Sequence, residues 1–146
     1  MSIVKPLELG VVVSDLEAAE AFYGGLLGLI PERRVTIGAA VGARTGVSGA
    51  GFTVSRYKAP CGAVVKLLHP AGATPEPGAD AAEICSRATT AFLTLVVDNL
   101  RELVKQLQAS GVRVRTRPAI VEVRPGMHLA FVEDPDGFPV ELVQYD

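Results

Sequence analysis

The chain has 146 residues, 49% of them hydrophobic, with 14 Lys and Arg against 16 Asp and Glu for a formal net charge of -2. That size suits one domain or two small modules sharing a core, and the near-neutral charge removes any electrostatic case for nucleic acid or an anionic membrane as partner. No basic segment with a signal-like apolar run opens the chain, no apolar run nears the ~20 residues of a membrane span, and Cys61 and Cys85 lack metal-motif spacing; a reduced, cytoplasmic protein is expected.

The first strand starts at Glu8, a carboxylate beside a run of valines that needs a partner if it turns inward. GVVVSDLEAAEAFYGGLLGL, residues 10–29, reads as strand, turn and helix. Asp15 is placed to cap the helix, and Ala18, Phe22, Leu26 and Leu29 form an apolar stripe with nearly helical spacing. Gly24, Gly25 and Gly28 mark its fraying and exit. Two strands are expected next, at about 33–43 and 49–57. The glycines at 38, 42, 46, 49 and 51 form no strand–GxGxxG–helix unit, so no nucleotide site is implied, and their stretch reads as a mobile loop or ligand lid. Pro60-Cys61-Gly62 then makes a turn that feeds a strand through Lys66.

Residues 71–90, rich in Pro, Ala and Gly, read as a linker between module one (about 5–70) and module two (about 91–146). LTLVVDNLRELVKQLQASGV, residues 93–112, repeats the strand–helix plan. Leu100, Leu103, Val104 and Leu107 form its stripe, Asn99 or Asp98 its cap and Gly111 its stop. Strands are expected at 112–117 and 127–133, and Pro135-Asp136-Gly137 turns into the last one, as Pro60-Cys61-Gly62 did. The order is βαβββ twice. This predicts an α+β fold of paired modules whose curved mixed sheets pack together around a cup-shaped cleft, a single domain of two halves.

The opening Leu7–Leu16 run, Phe22-Tyr23, Leu27-Gly28-Leu29 and the closing Asp134-Pro135-Asp136-Gly137-Phe138-Pro139-Val140-Glu141-Leu142 resemble the vicinal oxygen chelate superfamily. That group holds glyoxalase I, extradiol dioxygenases, methylmalonyl-CoA epimerase and the fosfomycin and bleomycin resistance proteins. The resemblance implies a homodimer, a small-molecule ligand and a divalent metal held by the first and last strands of each module. The matching positions here are Glu8, Lys66, Phe92 and Glu141, of which only Glu141 keeps the usual residue type. Two carboxylates alone hold an ion weakly, and a lysine ammonium beside it repels it. The expected set is therefore metal-free: Lys66 at the centre, paired with Glu8 and Glu141. If a metal is present, its ligands are Glu8 and Glu141 joined by a histidine.

Glu8 and Glu141 are the candidate bases for a proton next to a carbonyl, and Lys66 the candidate stabiliser of the resulting enolate. A desolvated carboxylate would have its pKa raised toward neutrality, against the pull of Lys66. That chemistry suits a lyase or isomerase; a binding protein that sequesters a drug-like or metabolic ligand, and a glyoxalase- or dioxygenase-like metalloenzyme with a rearranged ligand set, are the alternatives. Phe92, Phe131 and Tyr57 are expected to line the cleft. His128 is a candidate for ligand contact or proton transfer on a strand whose facing the sequence does not fix. His69, three residues from Lys66, falls on the opposite strand face. Arg56 and the alternating Arg113, Arg115 and Arg117, with Arg124, read either as a solvated face or as a rim for a substrate carboxylate or phosphate, with Arg56 and Arg115 as its contacts.

Overall fold

The valine run after Glu8 forms β1 (Glu8–Val12), whose hydrogen-bonded partner is the fourth strand rather than the second. Residues 3–78 and 83–146 are described by a computed structural model, in which the chain divides into two units, residues 1–77 and 78–146. The first unit continues with α1 (Leu16–Glu20), β2 (Ile30–Ile37), α2 (Ala39–Thr45), β3 (Phe52–Lys58) and β4 (Val64–Pro70). Its sheet has the order β1-β4-β3-β2, with β1 parallel to β4 and the other pairs antiparallel.

Asp15 caps α1 as its position predicts, accepting a hydrogen bond from the Ala18 backbone N–H at 3.0 Å. The helix then widens into a π-helical turn, Ala21–Leu26, closed by Leu27 N–H donating to the Phe22 carbonyl at 2.9 Å. Of the expected stripe, Phe22 and Leu29 are buried, while Ala19 and Tyr23 are buried in place of Ala18 and Leu26. Gly24 sits inside this turn rather than at a frayed end. A Cβ there would lie 2.6 Å from the Tyr57 ring, so the missing side chain is what lets β3 approach.

The glycine-rich stretch corrects the expectation of a loop or lid. Residues 39–45 form α2, Gly46 closes it in the left-handed conformation, and a Cβ on Gly42 would lie 2.2 Å from the Ser48 carbonyl oxygen. The segment is packed onto its own return turn. The strand expected at 33–43 accordingly ends at Ile37.

The second unit comprises β5 (Leu93–Val96), α3 (Leu100–Ala109), β6 (Val121–Arg124), β7 (Met127–Glu133) and β8 (Pro139–Tyr145). Its order, β5-β8-β7-β6, repeats that of the first sheet, again with its first strand parallel to its last. Asn99 caps α3 through the Glu102 N–H, and Leu100, Val104 and Leu107 are buried against β7 and β8, where Ala130, Val132, Val140 and Leu142 have no exposed surface. The segment 112–117 gives a single bridge, Val114 to Val132, before Pro118 removes a donor; the fourth strand forms instead at β6. Two mixed four-stranded sheets, each with its helix, realise the paired βαβββ α+β class.

Candidate functional site

Strand alternation sorts each sheet into two faces. In the first unit, Val65 and Leu67 of β4 are buried on the side packed by α1, so Lys66 projects from the other. Gly10 of β1 and Arg56 of β3 are its register partners, which puts Arg56 beside it and Glu8 one step along the same face.

Arg56 grips Glu8 with both terminal nitrogens, Nη1 to Oε2 at 2.9 Å and Nη2 to Oε1 at 2.8 Å. Its Nε donates to Glu32 Oε2 at 3.0 Å. Glu32 reaches it because β2 carries a bulge between Pro31 and Arg33, which sets two residues against Arg56. Lys66 Nζ completes the group at 3.4 Å from Glu8 Oε2. Of the expected trio of Lys66 with Glu8 and Glu141, the Lys66–Glu8 contact is present, but the tighter partner of Glu8 is Arg56.

This partner changes what Glu8 can do. Hydrogen bonding from Arg56 is the largest cause, with Lys66 adding to it, of a carboxyl pKa lowered from 4.5 to about 2. The opposing desolvation is outweighed, so Glu8 is a fixed anion and a poor proton acceptor near neutrality. Arg56 is held more firmly in its charged form by the same contacts. With three donors committed and only 16% of its side chain exposed, Arg56 braces the acidic groups rather than offering a rim to a substrate carboxylate.

A depressed carboxylate stabilises the fold above its unfolded-state pKa, and that contribution is lost as pH falls through the folded-state value. The stability gap between the protein and Glu8→Gln is therefore expected to be constant above pH 4.5 and to shrink as pH falls toward about 2. Urea midpoints across that range measure it. A gap that does not change with pH would show that Glu8 is not held by these cations.

Tyr57 does not join this face. It lies on the helix side with 7% of its surface exposed, and burial pushes its hydroxyl pKa up. Ser55, also on that side, donates to Glu20 at 2.5 Å, and Arg34 pairs with the same carboxylate. A hollow of ≈ 270 Å³ opens at the β2 bulge, lined by Arg56 and Tyr57 together with Glu20, Glu32, Arg34 and Ser55; neither Glu8 nor Lys66 lines it. His69 is on the helix side as alternation requires, its Nδ1 3.1 Å from the Val13 carbonyl oxygen.

In the second unit, Thr94, Glu141 and Phe131 form one cross-strand row. Thr94 Oγ1 donates to Glu141 Oε2 at 2.7 Å. Phe92, two residues before Thr94, meets Phe131 edge to face, with ring centroids 5.2 Å apart and planes at 80°. Phe92 remains 44% exposed. Phe92, Phe131 and Glu141 thus come together, with Thr94 as a member that sequence reading passed over.

His128 is not among them. Its register partner is Gln144, whose Oε1 accepts the Leu100 N–H at the start of α3, so His128 lies on the helix side, 3.7 Å from Asp146. The expected basic rim is likewise spent: Arg113 and Arg115 both pair with Glu133, and Arg117 donates to the Val114 and Thr116 carbonyls.

Neither unit's donors fit a divalent metal. In the first, both Glu8 oxygens are already bonded to cations and Lys66 brings a further positive charge; in the second, Phe92 has no donor atom beside Glu141. Among the described residues no group of three or more His, Cys, Asp or Glu side chains is placed to hold an ion.

Residues 5–142 match the family model of the Glyoxalase/Bleomycin resistance protein/Dioxygenase superfamily. The fold is similar to that of a glyoxalase family protein from Bacillus cereus, with TM-score 0.79 and 19% identity over 99% of this chain and 96% of that one. The trypanothione-dependent glyoxalase I of Leishmania major is similar at TM-score 0.69 and 22% identity, covering 97% of this chain and 87% of that one. A fosfomycin resistance protein from Listeria monocytogenes, complexed with Mn(II) and sulfate, has TM-score 0.63 and 12% identity over 99% and 95%. No curated protein sequence gives a significant match.

Proposed function

Because the chain belongs to the Glyoxalase/Bleomycin resistance protein/Dioxygenase superfamily, we propose that it is a small-molecule lyase or isomerase that transfers a proton without a metal. Glu141 is the candidate base in the second unit, and Lys66 the candidate charge-stabilising cation in the first. The observation that carries this reading is the hold of Arg56 and Lys66 on Glu8: a position where the resemblance implies a metal ligand instead carries an anion bonded by two cations. Glu8 is thereby removed as a base, and Glu141, bonded by a neutral hydroxyl, is the carboxylate left for the task. Lys66 is the cation of the cluster with donors to spare, since Arg56 is bound on three nitrogens.

Sequestration of a ligand without turnover is the second reading, favoured by the neutralised Glu8. A metalloenzyme built on Glu8, Glu141 and a histidine has less support, since His69 and His128 lie on the helix sides of their sheets. We assign the protein to the cytoplasm as a homodimer; among the described residues no helix is long and apolar enough to cross a membrane.

Elemental analysis of protein purified without chelator tests the metal-free site. Less than about 0.1 equivalent of each transition metal is expected, unchanged after Zn, Mn, Ni and Fe(II) are offered. Near one equivalent surviving dialysis would overturn it.

A further inference from the structure

We propose that the open face of the second sheet beside Glu141 seats a flat aromatic group, so that the substrates are carbonyl compounds bearing an aryl substituent next to the proton-bearing carbon. This rests on Glu141 being the base of the reaction proposed above. Phe92 and Phe131 are two of only five phenylalanines in a chain without tryptophan, yet they are paired on the face that carries the carboxylate. Phe92 leaves 44% of its surface open. An edge-to-face pair left open in this way extends readily to a third ring, which would bury that surface and add a further favourable ring contact.

The neighbouring row fixes where such a ring would sit. Phe131 is the register partner of Glu141, so the aromatic seat and the carboxylate are adjacent across the ladder. Thr94 holds Glu141 Oε2, and among the described residues Oε1 has no hydrogen-bond partner. A ring seated on Phe92 and Phe131 therefore places its attached carbon beside the unbonded oxygen. No cation from the described residues pairs with Glu141 either; a substrate ammonium over the rings is thus the competing occupant, and the experiment separates the two.

Ligand-observed saturation-transfer NMR with benzamide, a neutral aryl probe, and tetramethylammonium, a cation without a ring, reads the seat without turnover. Benzamide is expected to bind, to weaken about tenfold in Phe92→Ala, and to weaken by a smaller factor in Phe92→Leu, which keeps apolar area but loses the ring contact. Phe131→Leu, checked for folding by circular dichroism, gives a second test of the pair. Benzamide binding that is indifferent to both positions, or tighter binding of tetramethylammonium than of benzamide, would overturn the proposal. In D₂O the protein's acceleration of α-proton exchange over the buffer rate should be at least about tenfold greater for phenylacetaldehyde than for butanal, and Phe92→Ala should remove that difference in acceleration. Benzamide binding that depends on Phe92, with exchange indifferent to Glu141, would keep the aromatic seat and remove the base. The reverse pattern would keep the base and remove the seat.

Discussion

Glu141→Gln is expected to slow α-proton exchange by roughly 10²–10⁴-fold, the range for loss of a positioned general base. The substitution is nearly isosteric, and its amide oxygen can still accept the Thr94 hydroxyl that holds the carboxylate at 2.7 Å. What it removes is the ability to take a proton. Glu8→Gln serves as the contrast: it takes away the anion that Arg56 and Lys66 share but no base, because Glu8 sits at about 2. Deuterium wash-in followed by NMR, with the melting temperature of each variant recorded, measures both. Unchanged exchange in Glu141→Gln at an unchanged melting temperature would take the proton away from Glu141.

Lys66→Gln is expected to lower the exchange rate by roughly 10²–10³-fold, the range for loss of one charge-stabilising group. Lys66→Arg, which keeps the charge in a different shape, should recover part of that loss. The melting temperature should move little, since Arg56 still grips both oxygens of Glu8 after Lys66 is gone. That differs from a site in which Lys66 alone neutralises the carboxylate, where its removal would leave an unbalanced charge. It differs also from a metal site, where removing the ammonium would improve metal loading. If Lys66→Gln acquires a stoichiometric metal and a higher rate, the charge at this position is an obstacle and not a catalyst.

The parts of the site that were legible follow from strand periodicity. Lys66 is next to Leu67 and so faces away from its buried side, His69 falls opposite Lys66 by odd spacing, and Phe92 precedes β5 as Glu8 opens β1. Thr94 was within reach of the same rule, being two residues from Phe92. Arg56 as the main partner of Glu8 was not, because it depends on the order β1-β4-β3 bringing two strands about 48 residues apart in the chain across a third. Glu32 depends on an extra residue in β2 that no pattern announces. The facing of His128 required the register with Gln144, and register comes from pairing rather than from a strand's own residues. The helix at 39–45 was obscured because AAVGART is weakly helical by composition and flanked by glycines; its packing against Ser48 is a tertiary contact.

The bulge that delivers Glu32 to Arg56 has a counterpart. β2 and β6 are each one of the two edge strands of their sheet, and each is irregular, between Pro31 and Arg33 in one and between Glu122 and Arg124 in the other. A straight outer strand offers a row of unsatisfied amides and carbonyls to any passing chain, whereas a kinked one with charged residues at the kink breaks that row. The same kind of irregularity that supplies an acid to the first sheet thus also makes one edge of each sheet a poor template for strand addition.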